Sequence, residues 1–414
     1  MRMSAIHAQT ERKRQDRSVR YAEKHRRRAR TRRLHGLIRP VPAACATPGA
    51  AQGGKRLSSG WIQAIVTSVG TPLGECRVKR KGPLEMQQTT GTPTLVRIGV
   101  AVLGALLSLS VGAGARAEGM VVEIDLPDKL GSTHELAAAP DGAIWVSQML
   151  QHRLVRISPD GERVKFFDMP PDTGPHGLKF DHDGQLWLTF QFTDEIVEIG
   201  PDGGILARHR IPSPGAGPHG LGIAADDTIW WTGKTGDMIG RFDPQTGATT
   251  IFPLDHVPAT PIYIVADDAG AMWFTELEGS RLGRIDAQGA LDFFELPTTD
   301  ARPIAVFPGP DAQIWFTEER GNAYGRVTHE GRVEEFPTGV AGGELASATF
   351  DDADNLWIQF NTPDIIQRIA PDGSRRTFQL STRDAVQHRI IVGPDGRVWF
   401  TELDSDKVGY IVPE

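Results

Sequence analysis

The chain has 414 residues, of which 39% are hydrophobic and 23% charged, and its formal net charge is −7. Beyond residue 117 the balance is far more acidic, with 23 Lys and Arg against 47 Asp and Glu and a net charge of −24. Because such a domain is repelled by nucleic acid and by anionic membrane surfaces, its charge argues against both as partners. We expect a small-molecule substrate or ligand and a monomer.

The N-terminal part of the chain differs in kind from the rest. Residues 1–85 contain 20 Lys and Arg and show no hydrophobic periodicity, which predicts a disordered basic segment. Residues 86–117 contain Arg97, an apolar stretch from Ile98 to about Ala113, and the triplet Ala115-Arg116-Ala117. This pattern is typical of a secretory signal peptide, and a retained membrane anchor is the alternative. We therefore expect an exported protein, periplasmic or secreted.

A signal peptide acts at a true N-terminus, so Met86 is a candidate start and residues 1–85 are a candidate over-extension of the gene. Both cysteines, Cys45 and Cys76, precede the expected cleavage site. The expected mature domain, residues 118–414, thus has no disulfide, no thiolate nucleophile and no c-type haem attachment.

A unit of 42 or 43 residues repeats seven times after residue 117. Each copy carries one tryptophan at the same position: Trp145, Trp187, Trp230, Trp273, Trp315, Trp357 and Trp399. Each unit contains four short apolar or alternating segments, separated by turns such as "HDG" and "PDG". Four strands in about 40–45 residues are typical of a propeller blade, so we predict an all-β, seven-bladed β-propeller.

The two ends of the repeat array complement each other. The last unit ends at "KVGYIVPE" and lacks a fourth strand, whereas "MVVEIDLP", residues 120–127, resembles the fourth strands of the other units. We predict that this N-terminal strand completes the last blade, which closes the ring and removes an open sheet edge.

Histidine is enriched at one position of the repeat. Eleven residues before the tryptophans stand, in chain order, His134, His176, His219, Ile262, Ile304, Ala346 and His388. The last blade adjoins the first in a closed ring, so we expect the four histidines on one arc of the channel rim. Because imidazole titrates near neutrality, they are candidate catalytic residues. The structural alternative is that these histidines only cap the strands.

Tyr263 lies one residue past the histidine register in the fourth blade, where its side chain is compatible with either the channel or the core.

Glutamate recurs three residues after the tryptophan, as Glu276, Glu318 and Glu402. Because the second strand of a blade runs antiparallel to the first, we expect these carboxylates at the same rim as the histidines. They are candidate ligands for a divalent cation, of which Mg²⁺ is one. The structural alternative is that they pair within the repeat with arginines such as Arg284, Arg326 or Arg389.

The repeat "PHGL…DG.LWFTE…IGRI.P.G…EF.LP" resembles the virginiamycin B lyase family of streptogramin-opening propellers over residues 120–414. The resemblance implies a carbon–oxygen lyase of antibiotic resistance that opens a cyclic ester by elimination. It also implies a rim histidine as base and Mg²⁺ held by two glutamates. Where the family places these glutamates, the present chain has other residues: Ser132, Gly174 or Gly217 at one register and Met149, Gln191 or Lys234 at the other. The magnesium ligands are therefore not carried over as a set.

Two functions of different classes follow. The first is a metal-assisted lyase in which His134, His176, His219 or His388 is the general base, with a cation near Glu402. The second is an exported, non-catalytic propeller that binds a metal, a peptide or a small molecule at the histidine-lined rim. The fold alone does not decide between them. The clustered histidines favour catalysis, and the absent glutamates favour binding or a different substrate.

Overall fold

A computed structural model describes residues 119–413 of the chain. The predicted basic segment and signal peptide lie outside the described residues. Within residues 119–413, no helix suited to crossing a membrane is found.

The described residues form β-strands joined by short turns. The first fourteen strands are β1 (Val121–Asp125), β2 (Thr133–Ala138), β3 (Ile144–Gln148), β4 (Arg153–Ile157), β5 (Val164–Asp168), β6 (Pro175–Phe180), β7 (Leu186–Phe190), β8 (Glu195–Ile199), β9 (Ile205–Arg210), β10 (Pro218–Ile223), β11 (Ile229–Gly233), β12 (Met238–Asp243), β13 (Ala248–Pro253) and β14 (Pro261–Ala266). The next fourteen are β15 (Met272–Glu276), β16 (Arg281–Ile285), β17 (Leu291–Glu295), β18 (Pro303–Pro308), β19 (Ile314–Glu318), β20 (Ala323–Val327), β21 (Val333–Pro337), β22 (Glu344–Phe350), β23 (Leu356–Thr362), β24 (Ile365–Ile369), β25 (Arg375–Gln379), β26 (Gln387–Val392), β27 (Val398–Glu402) and β28 (Lys407–Ile411).

These strands make seven four-stranded antiparallel sheets, counted over residues 119–413, and the sheets are the blades of a propeller. Blades 1 to 6 each use four consecutive strands, from β2–β5 in blade 1 to β22–β25 in blade 6. Blade 7 has the order β1-β28-β27-β26, with Val121 opposite Ile411 and Asp125 opposite Lys407. The predicted seven-bladed fold and its closure by the N-terminal strand are confirmed.

The repeated tryptophans fill the space between neighbouring blades. Six of the seven are buried, and Trp315 is half-buried. Several stack on an aromatic residue of the same blade, as Trp145 does on Phe167 with ring centroids 5.1 Å apart. Burial of one such side chain stabilises the fold by roughly 1.5–3 kcal/mol. Each blade therefore gains a similar packing contribution from its tryptophan.

The first and second strands of a blade pair with a shift in register near the start of the first strand. In blade 2, Pro175 pairs with Phe190, and regular pairing resumes only at Leu178 opposite Leu188. The two residues between them, His176 and Gly177, lie in the irregular part of the ladder. A bulge of this kind redirects side chains. It occurs at the same place in the other blades, including all four that carry a histidine.

Candidate functional site

The structure brings the four register histidines together. The ring centroids of His134 and His176 are 4.7 Å apart, those of His134 and His388 5.0 Å, and those of His176 and His219 3.8 Å. His134, His176 and His219 are buried, whereas the side chain of His388 is 17% exposed. We call these four residues the histidine arc.

A hydroxyl of the preceding blade fixes the backbone of three of these histidines. The hydroxyls of Ser147, Thr189 and Thr401 donate to the carbonyls of His176, His219 and His134 at 2.6, 3.2 and 2.7 Å. Each hydroxyl also accepts a hydrogen bond within its own blade, as Thr189 does from the Gly177 amide at 2.8 Å. The motif thus ties adjacent inner strands together at the histidine register. In blade 6, Gln359 takes this position, so the preceding blade offers no hydroxyl to the His388 carbonyl.

Two glycines allow the inner strands to approach closely. A Cβ on Gly177 would lie 2.2 Å from the carbonyl oxygen of His219, and one on Gly220 would lie 2.3 Å from that of Ile262. Both contacts are with backbone, which cannot turn aside as a side chain can. Glycine after the histidine in blades 2 and 3 is therefore a steric requirement of the packing beside His176 and His219.

The ring nitrogens of the arc have different partners. Nδ1 of His134 donates to the carbonyl of Ser132 at 2.6 Å, and Nδ1 of His219 donates to that of Ile262 at 3.1 Å. A carbonyl can only accept, so the Nε2 atom of each ring carries the lone pair. Nδ1 of His388 lies 3.5 Å from a carboxylate oxygen of Glu135. Nδ1 of His176 is buried and has no hydrogen-bond partner among the described residues.

The surroundings of the arc lower the pKa values of its four histidines. Burial, and then the neighbouring His388, lowers the pKa of His134 to about 3. Burial, and then Lys234 and Arg389, lowers the pKa of His388 to about 3 as well. The pKa values of His176 and His219 lie well below the usual range, first because of burial. All four rings are therefore uncharged at neutral pH, and each offers a nitrogen lone pair.

A polar group lies next to the arc, formed by the residues that follow the histidine register in blades 1, 4 and 7. The Glu135 carboxylate lies 3.5 Å from Nε of Arg389, and the Arg389 guanidinium lies 4.8 Å from the ring centroid of Tyr263. The Tyr263 hydroxyl donates to the His388 carbonyl at 3.1 Å, which places Tyr263 toward the arc. Burial and the charge of Arg389 lower the pKa of Lys179 to about 8, against the effect of Glu135. Glu135 and Lys179 were not predicted from the sequence, and Arg389 was expected only as a partner of the register glutamates.

Lys234 acts on the whole arc. It follows β11, and its amide donates to the Gly217 carbonyl at 3.1 Å. Its charge lowers the pKa of all four histidines. Burial, and then Arg302, lowers the pKa of Lys234 itself, and Glu319 opposes this shift. Glu319 accepts a hydrogen bond at 2.8 Å from Arg302, and within residues 119–413 no ion pair within 4.0 Å is found for Lys234.

The three register glutamates are fully buried beside the third strand of their blades. Glu276 lies opposite Arg281 and accepts a hydrogen bond from its Nε at 2.7 Å. Glu402 lies opposite Lys407 and accepts one from the Ser405 hydroxyl at 2.5 Å. Burial, reinforced by Glu335, raises the pKa of Glu318 to about 9, so Glu318 is protonated at neutral pH. Cross-strand neighbours on one sheet face contact each other, and this accounts for the contact of Glu276 with Arg281.

The arginines suggested as partners of these glutamates pair elsewhere, and that expectation was wrong. Arg284 forms its ion pairs with Asp267 and Asp292, and Arg326 with Asp311 and Glu334. Arg389 pairs with Glu135. For Arg284 and Arg326 the reason is register, because the arginine of the "GR" pair lies opposite the tryptophan rather than opposite the glutamate.

Glu276, Glu318 and Glu402 do not fit a magnesium site. A protein site for Mg²⁺ usually supplies one or two ionised carboxylates that are free to coordinate the ion. Glu276 is occupied by a guanidinium and Glu318 is protonated. Among the described residues, the group of three metal-ligating side chains with ligand atoms within 4.8 Å of one another is His134, His176 and His388. We therefore assign no chemical step to magnesium.

Comparisons with known proteins agree with the family resemblance of the repeat. The family model described as the virginiamycin B lyase family matches residues 110–305 and 206–414. A streptogramin B lyase structure is 29% identical, with a TM-score of 0.67 over 70% of this chain and 96% of that chain. Selenomethionine-substituted virginiamycin B lyase from Staphylococcus aureus is 26% identical, with a TM-score of 0.67 over 72% of this chain and 100% of that one.

A third structure contains a catalytically inactive histidine-to-alanine variant of the Staphylococcus aureus virginiamycin B lyase, with quinupristin. It is 25% identical to the present chain, with the same TM-score of 0.67 over 72% of this chain and 100% of that chain. A search of curated proteins found no match.

Proposed function

Because the chain belongs to the virginiamycin B lyase family, we propose that it is an exported lyase that opens a cyclic ester of the streptogramin type by elimination. The observation that carries this proposal is the histidine arc, in which four uncharged imidazoles from four consecutive blades lie side by side, with neighbouring ring centroids 3.8 to 5.0 Å apart. Neutral imidazole is the form that accepts a proton, and a positioned base of this kind contributes about 10²–10⁴-fold to a rate.

The reaction needs a base and a site for developing negative charge. The base takes the proton on the carbon α to a carbonyl group, and a carbon–carbon double bond forms to the adjacent β carbon. The bond from that β carbon to the ester oxygen breaks, and the carboxylate leaves. The ring opens without consuming water, so the linear product is an isomer of the substrate.

His219 fits the role of the base best among the candidates His388, His134, His176 and His219. Its Nδ1 donates to the Ile262 carbonyl at 3.1 Å, which fixes the ring and leaves Nε2 as the acceptor. Its carbonyl is held by Thr189, so the backbone is fixed as well. Its ring lies 3.8 Å from that of His176, but His219 is not one of the three histidines whose ligand atoms lie within 4.8 Å of one another.

Lys234 supports the developing negative charge on the carbonyl oxygen of the substrate. Its charge reaches every imidazole of the arc, and no described acidic residue neutralises it by an ion pair. It occupies a register at which the family places a magnesium-binding glutamate. A fixed cation in a partly buried site stabilises an oxyanion more than it would in water. An ammonium group thus supplies the positive charge for the transition state.

A solved structure of a relative supports a streptogramin as the class of substrate. The inactive variant of the Staphylococcus aureus enzyme lacks one histidine and was solved with quinupristin. A histidine-dependent reaction on a streptogramin is therefore a property of a protein that shares this fold at 25% identity. Ring opening by the present chain would make its host resistant to streptogramin B.

The test is a turnover assay of the full chain with quinupristin, in buffer containing a chelator and in buffer containing Mg²⁺. Liquid chromatography coupled to mass spectrometry distinguishes elimination, hydrolysis and the absence of a reaction. The proposal predicts a product with a new retention time and an unchanged mass, formed in both buffers. A product that has gained one water would indicate hydrolysis and contradict the elimination. Quinupristin recovered intact would contradict the proposed activity and favour binding without turnover.

A further inference from the structure

We propose that His134, His176 and His388 form a binding site for one first-row transition-metal ion of the Zn²⁺ type. One ligand atom from each side chain lies within 4.8 Å of the other two. Ligand nitrogens bound to zinc at about 2.0–2.1 Å are separated by somewhat less than twice that distance, so small rotations of the rings suffice to enclose an ion. The three residues come from blades 1, 2 and 7, whose packing fixes the distances between their backbones.

The ring orientations resemble those of metal-bound histidines. A ligating imidazole almost always donates its second N–H to a backbone carbonyl or a carboxylate. His134 makes such a contact with the Ser132 carbonyl at 2.6 Å, and Nδ1 of His388 faces the Glu135 carboxylate at 3.5 Å. These contacts leave the opposite nitrogen of each ring available for an ion.

A second, independent observation is the state of His176. Its side chain is 1% exposed, and its Nδ1 has no hydrogen-bond partner among the described residues. A buried polar atom without a partner costs roughly 1–3 kcal/mol, which a bound ion adjacent to it would offset. The ring lies between His134 and His219, with centroids 4.7 and 3.8 Å away.

The donor set selects the kind of ion. Imidazole nitrogens suit zinc, copper, nickel and iron, whereas magnesium and calcium require oxygen ligands. Three protein ligands leave a fourth coordination position open, as in catalytic rather than structural zinc sites. Glu135, next to the group, supplies a negative charge that partly balances the ion. This inference does not depend on the ester chemistry, because His219 stays outside the group.

The experiment measures metal retention by the full chain. The protein is stripped with a chelator, equilibrated with Zn²⁺, Co²⁺ or Mg²⁺, desalted and analysed by elemental mass spectrometry. Visible absorption of the Co²⁺ form reports the coordination directly. The variants are His176→Ala, His388→Ala, the conservative Glu135→Gln, and His182→Ala as the control. His182 is an exposed histidine that is paired with Asp227 outside the arc. Thermal unfolding of each variant confirms that it is folded.

We expect one Zn²⁺ or Co²⁺ per chain and no retained Mg²⁺. His176→Ala and His388→Ala should each weaken the affinity by about 100-fold or more, and Glu135→Gln by about 10–100-fold, since Glu135 orients a ligand. His182→Ala should bind as the wild type does. The proposal is overturned if no ion is retained, or if folded His388→Ala retains it with unchanged affinity. Quinupristin turnover is scored separately, so a metal-binding protein without turnover contradicts only the lyase function.

Discussion

The imidazoles of His176 and His219 lie 3.8 Å apart, although 43 residues separate them in the chain. Two features hold them there. Thr189 bridges the inner strands of blades 2 and 3, and Gly177 removes the Cβ that would otherwise strike the His219 carbonyl. The position of the proposed base, His219, beside His176 is therefore a product of blade packing, and a substitution at Thr189 or Gly177 can alter it without changing either ring.

The Thr189 hydroxyl should be needed for both stability and the site. Thr189→Val removes a donor to the His219 carbonyl and an acceptor for the Gly177 amide, which should cost about 1–3 kcal/mol of unfolding free energy. The matched control is Thr317→Val, because Thr317 makes the same pair of contacts with Ala305 and Ala346, away from the histidines. Urea unfolding should show similar losses for both variants. Only Thr189→Val should also slow quinupristin turnover, and equal turnover in the two variants would contradict this assignment.

Lys234 should contribute to the rate through its charge. Lys234→Met removes the cation beside the arc and should lower kcat by about 100-fold, the size typical of a lost oxyanion-stabilising group. Lys234→Arg keeps the charge and should restore part of the rate. Lys165→Met, on the exposed outer strand of blade 1, is the control and should leave kcat unchanged. A Lys234→Met variant with wild-type kcat would show that the ammonium has no part in the transition state.

Glu123 should make closure of the ring sensitive to acid. Its burial alone would raise its pKa, but hydrogen bonds from Ser381, Lys407 and Thr382 outweigh this effect and lower the pKa to about 2, from 4.5. The stabilisation is complete above pH 4.5 and is lost as the pH falls toward 2. The shift corresponds to about 3 kcal/mol of unfolding free energy.

Glu123→Gln should therefore unfold more easily at neutral pH and lose less stability on acidification than the wild type does. The free energy of unfolding from urea titrations at several pH values measures both effects. Glu330→Gln, at an exposed carboxylate of blade 5, is the control. If the wild type and Glu123→Gln had parallel stability curves between pH 2 and 5, the proposed contribution of β1 would be refuted.

Glu318 should produce the opposite pH dependence. Burial raises its pKa to about 9, so the folded chain binds a proton that the unfolded chain releases above pH 4.5. Stability should then decline as the pH rises from 4.5 toward 9, by up to about 1.4 kcal/mol per pH unit. Glu318→Gln should remove this slope and be more stable than the wild type at about pH 8. A Glu318→Gln variant that is less stable at that pH would indicate an ionised, paired carboxylate instead.

The fold followed from the sequence because tryptophan spacing and turn composition report on local structure that every blade repeats. The histidine arc also followed, since a circular fold places equal repeat positions at equal places. The glutamates were harder, because a strand register decides which side chain of the third strand each one meets. The sequence places Glu276 near both Arg281 and Arg284, and only the pairing of β15 with β16 selects Arg281.

Of the polar group beside the arc, only Tyr263 was singled out from the sequence, and its association with Glu135 and Arg389 was missed for a different reason. Glu135, Tyr263 and Arg389 occupy the position after the histidine register, which is glycine only in blades 2 and 3 and differs in every other blade, so it shows no repeated pattern. Their contacts connect blades 1, 4 and 7, and no spacing along the chain predicts contacts across the ring. Charged and aromatic residues at a variable position next to the histidine register are the signal that could have found them.

The rate of quinupristin ring opening by His219→Ala, compared with His182→Ala and the wild type, tests the central claim most directly. We predict that His219→Ala loses about 10²–10⁴-fold in kcat while the exposed control stays at the wild-type rate. A folded His219→Ala variant that turns over quinupristin as fast as the wild type does would contradict the account.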